Sequence, residues 1–302
     1  MIKPNSINNI LSKISQKLAI DKLFSVTDMA KVESNFQIIS EKYKAHSDPF
    51  GLDIIKTKEK INLLLPLYRN YFKVRIINPE NAQYDRPLMV ISNHTGQIPI
   101  DAMLITIAFV TDINPPRLLR SMVERFLNTL PFFGTWAAES GAVLGDRSNC
   151  QWLLQRGESI LVFPEGVRGI SKSTSQYYQM QRFTSGFFRL ALYAGVDILP
   201  ISVIGAEEFY PLVYHPWTIA RALNLPALPL SASLLLGPLG IIPLPSPIDI
   251  RIGKIYSIPK NIEADAPDEF VDFHVNEIQK QIQEMIDIGL RERRDFFGAI
   301  KK

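Results

Sequence analysis

The chain has 302 residues, of which 46% are hydrophobic, 21% charged and 10% aromatic; that balance allows a sizeable core and excludes a largely disordered chain. A formal charge of +3 is too small an excess to indicate a nucleic-acid partner, but it suits an anionic membrane surface or an anionic substrate. The single cysteine, Cys150, excludes an intrachain disulfide, points to a reducing compartment, and reads as a small buried residue because no histidine accompanies it in sequence.

In chain order, the segment from Met1 to Val26 lacks the continuous apolar core of a secretory signal, because Lys13, Lys17, Asp21 and Lys22 interrupt it. Its apolar residues Ile7, Ile10, Leu11, Ile14 and Leu18 recur at helical spacing, which predicts an amphipathic helix that packs on the domain or lies on a membrane. Residues 1–72 read as a helical region packing on the core, broken at Asp48-Pro49-Phe50-Gly51. From Lys73 the pattern changes. Short apolar runs appear at Lys73–Ile77, Leu88–Ser92, Leu118–Met122, Ala142–Leu144, Ser159–Phe163, Ile198–Ile204 and Ile248–Ile255, with helical periodicity between them. Strands alternating with helices predict an α/β domain over residues 73–260, with a mostly parallel central sheet covered on both faces.

The stretch Ala222–Ile248 is uncharged, yet it contains Pro226, Pro229, Pro238, Pro243, Pro245 and Pro247 as well as Gly237 and Gly240. Prolines at that density free carbonyls that hydrocarbon cannot satisfy, which disfavours a single spanning helix. The segment is expected to cover the core or dip into a lipid interface. No transmembrane helix is expected anywhere. Residues 261–302 form a C-terminal helix: Pro267 and Asp268 open it, and Val271, Val275, Ile278, Ile282, Met285 and Gly289 make one face. Arg291, Arg293 and Arg294 close it, as cations suited to the negative end of the helix dipole.

Two segments carry chemistry. Ile91-Ser92-Asn93-His94-Thr95-Gly96-Gln97-Ile98-Pro99-Ile100-Asp101 follows one apolar run and leads into a helical one. His94 is expected at the carboxyl end of a strand and Asp101 in the first turn of the next helix, with Pro99 suited to that turn. An imidazole there can take a proton from a hydroxyl, and a carboxylate on its other nitrogen would fix the tautomer. The competing reading is a polar turn in which His94 caps a backbone group. The second segment, Leu161-Val162-Phe163-Pro164-Glu165-Gly166-Val167-Arg168-Gly169, again follows an apolar run. Its glycines allow close backbone approach, and Arg168 can grip a phosphate with two donors. A turn with a structural Glu165–Arg168 pair is the alternative. Two weaker segments are Gly141-Ala142-Val143-Leu144-Gly145-Asp146-Arg147 and the strand Ile198-Leu199-Pro200-Ile201-Ser202-Val203-Ile204.

In this order the four segments resemble the glycerophospholipid and lysophospholipid acyltransferase superfamily, over about residues 85–255. Its members carry a His–Asp block, a Gly-to-Arg block, a Phe-Pro-Glu-Gly-x-Arg block and a proline-bearing strand. Here six residues separate His94 from Asp101 instead of four, and Pro99 stands where the usual Asp would fall. The run Asn-His-small-Gly-x-x-Pro-x-Asp is similar to the monoacylglycerol and diacylglycerol acyltransferase branch. The resemblance implies that His94 is the general base on an acceptor hydroxyl and Asp101 its orienting acid. Glu165, Gly166 and Arg168 would bind the glycerol or phosphate part of the acceptor, Arg147 would also meet phosphate, and Pro200 would shape the site. Acyl-CoA or acyl carrier protein would be the co-substrate. The acceptor would be a lysophospholipid or glycerolipid, and the partner a membrane surface, met from the cytoplasmic side as a peripheral protein. No metal or other cofactor is implied, and no nucleic acid.

Acyl transfer also needs oxyanion donors, which backbone groups near Gly96 or Gly166 could supply, and a groove for the chain. The aromatic residues Phe126, Phe132, Phe133, Trp136, Trp152, Phe183, Phe187 and Phe188 fit either such a groove or ordinary core packing. His46, His215 and His274 lack a comparable setting and read as surface or structural. Gly-x-Ser-x-Gly, Gly-x-x-x-x-Gly-Lys and Gly-x-Gly-x-x-Gly are all missing, which disfavours a serine esterase, a phosphate-loop enzyme and a dinucleotide binder. The remaining rival is a lipid-binding or carrier protein of the same fold without turnover. Geometry offers a test: the side chains of His94 and Asp101 should meet at roughly 2.6–3.2 Å, and Glu165 and Arg168 should open into one cleft.

Overall fold

All seven apolar runs become strands of one sheet. The structure, a computed structural model, describes residues 25–44, 48–95, 98–125, 133–214, 242–259 and 265–294, with single positions at 218, 221, 230, 231, 233, 237, 240 and 262. Residues 1–24 of the expected N-terminal helix, Gly96, Phe126, Phe132, His46, His215 and most of the proline-rich stretch lie outside the described residues. In chain order the strands are β1 (Arg75–Ile77), β2 (Met89–Ser92), β3 (Leu119–Val123), β4 (Val143–Leu144), β5 (Ser159–Val162), β6 (Ile198–Ile204), the minor strands β7 (Leu212–Tyr214) and β8 (Leu230–Ser231), and β9 (Asp249–Ile252). The main sheet has the order β1-β9-β6-β2-β5-β3-β4, and β7 and β8 form a separate pair. Every neighbouring pair in the main sheet is parallel except β6–β9.

The strands read as unbroken apolar runs because both faces of the sheet are buried. Side chains alternate between the faces with period two. Val90 of β2 joins one core, while its neighbours Met89 and Ile91 join the other. The first core is closed by three helices: α1 (Val26–Tyr43), α2 (Ile54–Pro66) and α3 (Ile100–Thr111). Ser25 caps α1 by accepting the Asp28 N–H, and Asp53 caps α2 by accepting the N–H groups of Ile55 and Lys56. α1 sends Val32, Phe36 and Ile39 inward, and its Asn35 donates to the Val110 carbonyl of α3 at 2.7 Å. α3 is apolar nearly all round, as expected of a helix between a sheet and a second helix layer. Phe109 in it is fully buried, so its truncation to Ala would cost about 3–5 kcal/mol.

The opposite core is closed by α5 (Arg147–Gln155), α7 (Gly186–Ala194) and α8 (Asp268–Arg291). Two short helices, α4 (Phe133–Glu139) and α6 (Val167–Ile170), lie in the connections. α8 buries the expected stripe of Val271, Val275, Ile278, Ile282 and Gly289, with Ile286 added. Its closing arginines depart from expectation. Arg293 and Arg294 lie past the helix end and spend their charge on fixed partners. Arg293 is held by Glu208 at 2.9 Å, and Arg294 pairs at 2.7 Å with the buried Asp249, which Arg75 also grips. They pin the helix to the sheet and do not simply offset a dipole.

The aromatic residues divide. Phe183, Phe187 and Phe188 are core, Trp152 packs edge-on against Phe50, and Trp136 is partly exposed beside Lys60. His274 is structural: it stacks on Phe188 and meets the Tyr256 hydroxyl at 2.5 Å. Cys150 is buried, and burial pushes its thiol up to about 11. Among the described residues, no helix is long and apolar enough to cross a membrane.

Candidate active site

β6, β2 and β5 lie side by side and parallel, so their carboxyl ends open on one edge of the sheet. Such an edge is where open α/β sheets take ligands. Past the end of β2, Asn93 continues the pairing with its side chain. Its Nδ2 donates to the Val203 carbonyl at 3.0 Å, and its Oδ1 accepts the Val203 N–H at 2.8 Å. This fully buried amide stands in for a strand residue and fixes where the next side chain emerges.

That next side chain is His94, 16% exposed, whose Nδ1 lies 2.8 Å from Oδ2 of a fully buried Asp101. The same Oδ2 accepts the Thr95 N–H at 2.9 Å, and Oδ1 accepts the Ala102 N–H at 2.8 Å. Asp101 is the second residue of α3, where the helix dipole favours an anion. Pro99 occupies the N-cap position, and the two extra residues of the turn are accommodated because Asp101 still folds back onto the ring. Assigned from this network, Nδ1 carries the proton and donates to the carboxylate, which leaves Nε2 of the neutral ring as an acceptor. Phe163 stacks on the imidazole at 4.3 Å between centroids and 24° between planes, which limits its rotation.

Glu165 is the main correction. It is 1% exposed, and its carboxylate oxygens are turned to the protein's own main chain and to Lys172. Its Oε1 accepts the backbone N–H of His94 at 2.8 Å, and its Oε2 accepts that of Gln181 at 2.7 Å and lies 3.3 Å from Lys172 Nζ. Arg168 is exposed and donates to the Arg182 carbonyl at 2.9 Å, and among the described residues it forms no ion pair with the buried Glu165. The glycines around them have steric reasons. Gly166 has φ +55°, which lets the chain turn from β5 into α6. A Cβ on Gly169 would lie 2.7 Å from His94 Cβ and 3.0 Å from Glu165 Cβ, so only glycine lets α6 press against the histidine. The Gly166 N–H is taken by the Phe163 carbonyl at 3.0 Å and is not an oxyanion donor in this arrangement.

The other expected site residues stand further off. Arg147 is the first residue of α5, exposed, after the edge strand β4. Three strand spacings, about 14 Å, separate β4 from β2. Pro200 is buried inside β6 opposite Ile91, three residues and about 10 Å before Val203. It shapes the sheet under the site and does not line it. Gly96 lies outside the described residues.

Two residues that the sequence did not single out complete the site's foundation. Lys172 Nζ meets Glu207 Oε1 at 2.8 Å, and Glu207 also accepts the Tyr178 N–H. Burial lowers the Lys172 pKa, but Glu165 and Glu207 outweigh it and the net shift is upward. Burial raises the pKa of Glu207, against the lowering by Lys172. Lys172 sits in an irregular serine-rich loop with no periodic signal. Glu207 lies just past β6, and only the β6–β2 adjacency makes it relevant. Among the described residues, no group of three or more His, Cys, Asp or Glu is placed to hold a metal ion.

Residues 73–204 match the sequence profile of the family described as Acyltransferase. An uncharacterized protein of Mycobacterium tuberculosis is 32% identical over 256 residues, which cover 83% of this chain and 72% of that protein. A probable 1-acyl-sn-glycerol-3-phosphate acyltransferase of Mycoplasma pneumoniae is 27% identical over 186 residues, or 57% of this chain and 62% of its own. Among solved structures, the 1-acyl-sn-glycerophosphate acyltransferase PlsC of Thermotoga maritima superposes with a TM-score of 0.48 at 16% identity, covering 87% of this chain and 96% of its own.

Proposed function

The chain belongs to the glycerophospholipid acyltransferase superfamily, and from that premise we propose that it moves a fatty acyl group from a thioester to a lipid hydroxyl, with His94 as general base. The donor is acyl-CoA or acyl carrier protein. The acceptor is a lysophospholipid or glycerolipid; the Mycoplasma pneumoniae relative, a probable 1-acyl-sn-glycerol-3-phosphate acyltransferase, supports the first of these. One observation carries the mechanism: the 2.8 Å contact between His94 Nδ1 and a fully buried Asp101 carboxylate. It supports a ring whose Nε2 accepts a proton.

In the reaction, Nε2 takes the proton of the acceptor hydroxyl as its oxygen attacks the thioester carbonyl. Asp101 stabilises the imidazolium that forms. The tetrahedral oxyanion collapses, the C–S bond breaks, and the thiolate takes the proton back from Nε2. An ester and a free thiol leave. No metal or other cofactor enters. Both substrates are amphiphiles, so the protein works at a membrane surface, as a peripheral protein on the cytoplasmic face.

The experiment is product mass spectrometry after incubation with acyl-CoA or acyl carrier protein and a panel of lysophospholipids and monoacylglycerol. Wild type should form ester, and His94→Ala should lower the rate by about 10²–10⁴-fold while still binding lipid. Lipid binding without turnover, indifferent to the substitution, would instead identify a carrier and end this reading.

A further inference from the structure

The carboxyl ends of two parallel strands meet at one ammonium, and a third strand end is tied to them through Glu165. His94 follows β2, Glu165 follows β5 and Glu207 follows β6. Lys172 Nζ lies between the two carboxylates, 2.8 Å from Glu207 and 3.3 Å from Glu165. The exposures are 5% for Lys172, 1% for Glu165 and 3% for Glu207, so none of these charges is shared with solvent. The oxygen of Glu165 that does not face Lys172 holds the His94 backbone N–H at 2.8 Å.

We propose that Lys172, seated on Glu207, is a positioning residue for acyl transfer: it fixes Glu165, and Glu165 fixes the main chain that presents the His94 imidazole. The inference rests on the general-base reading above. Without the ammonium, two carboxylates would face each other in a poorly solvated space, and one would turn away or take a proton. Either response weakens the acceptor that the His94 and Gln181 N–H groups share. The coupling is short. Gly169, three residues before Lys172, leaves no room for a side chain beside His94, where an added Cβ would lie 2.7 Å from His94 Cβ, so the loop that carries Lys172 packs closely on the histidine. Asp101 sets the tilt and tautomer of the ring, while Glu165 sets the position of its Cα. Both are needed to place Nε2.

The test uses the full chain and three variants: Lys172→Met, Glu207→Gln and, as a remote control in α8, Ile282→Val. Turnover and acceptor KM are measured with oleoyl-CoA and whichever acceptor wild type uses, well below the melting temperature of each variant. A displacement of about 1 Å at a reacting group can cost about 10²-fold. Lys172→Met should therefore lower kcat by about 10–100-fold with acceptor KM within about twofold, and Glu207→Gln, which keeps the cation but loosens it, by about 3–10-fold. Ile282→Val should keep wild-type kcat. If Lys172→Met and Glu207→Gln keep the kcat of the control, or lose KM in place of kcat, the proposal is overturned. Should Lys172→Met fail to fold, Glu207→Gln decides alone. Should wild type transfer no acyl group at all, the general-base reading fails separately. The His94 imidazole ¹H and ¹⁵N resonances then decide the positioning claim: a shift in Lys172→Met or Glu207→Gln upholds it, and unchanged resonances overturn it.

Discussion

Arg120 and Lys172 are both buried cations held between two carboxylates, but they sit at opposite ends of the sheet. Arg120, fully buried in β3, contacts Asp48 at 2.7 Å and Glu158 at 2.9 Å and donates from Nε to the Gly141 carbonyl at 2.9 Å. Glu158 also accepts the Tyr43 hydroxyl at 2.8 Å. The cluster thus ties the end of α1, the turn before α2 and the amino ends of β4 and β5 into one knot. A planar guanidinium suits it, because several fixed acceptors are met at set angles. Lys172 is a point charge between two side chains at the carboxyl ends, where one of them carries the main chain of His94. The same electrostatics therefore serves the scaffold at one end and the reacting group at the other. Damage at the amino end should be read in stability, and damage at the carboxyl end in turnover.

The sharpest break at the carboxyl end is Asp101→Asn. The amide keeps the shape but sets its N–H₂ either against the Ala102 N–H or against both the Thr95 N–H and Nδ1; the second orientation costs the ring its tautomer, and the first leaves a neutral oxygen that cannot stabilise the imidazolium. By the triad template, kcat should fall by about 10⁴-fold, or about 5.5 kcal/mol of barrier. Steady-state kinetics checks this. A loss under tenfold would mean that the carboxylate is structural and that the contrast between the two ends fails.

At the amino end, Arg120→Met should leave Asp48 and Glu158 buried without a cation and cost about 3–5 kcal/mol of stability. Denaturant unfolding measures it. At a temperature where the variant is folded, kcat should stay within about twofold of wild type, because no contact of Arg120 reaches His94. A selective loss of kcat would join the two regions that the comparison separates. Gly169→Ala is milder. Its methyl group would sit 2.7 Å from His94 Cβ and 3.0 Å from the His94 carbonyl, so the backbone must give. We expect about a tenfold lower kcat, equivalent to about 1.4 kcal/mol, with a small change in melting temperature.

These predictions also mark what could be read from the sequence. The strands were legible because a sheet buried on both faces leaves continuous apolar runs, such as Met89-Val90-Ile91. The His94–Asp101 pair was legible because a strand, a Pro-bearing turn and a helix confine the two side chains to one place. The role of Glu165 was not. A glutamate beside glycines and Arg168 looks like a ligand-binding group, and its burial depends on Lys172 and Gln181, which lie in an irregular loop further along. Arg293 and Arg294 were misread for a related reason. A cation at a helix end suits the dipole whatever it touches, and Glu208 and Asp249 lie far away in sequence.

The finest division of the two ends is their response to pH. Burial raises the Asp48 pKa, but the Arg120 hydrogen bond and charge, with the Leu52 and Phe50 N–H groups, outweigh it, and the carboxyl is held below its ordinary range. A depressed acid adds stability above its unfolded value, and that contribution is lost as pH falls through the folded one. Glu207 is shifted the other way, since burial outweighs its partner Lys172, with Glu165 adding to the rise. Between the ordinary carboxylate value of about 4.3 and the raised one, the folded state binds more protons than the unfolded state, so stability falls as pH increases. The slopes oppose each other. Unfolding free energies measured from pH 3 to pH 7 should therefore show Asp48→Asn losing more against wild type at neutral pH than at acid pH. Glu207→Gln should gain relative to wild type as pH rises. A Glu207→Gln difference that stays flat across the range would mean that Lys172 fully offsets the burial of Glu207, and one that falls as pH rises would make that pair a knot like the one around Arg120.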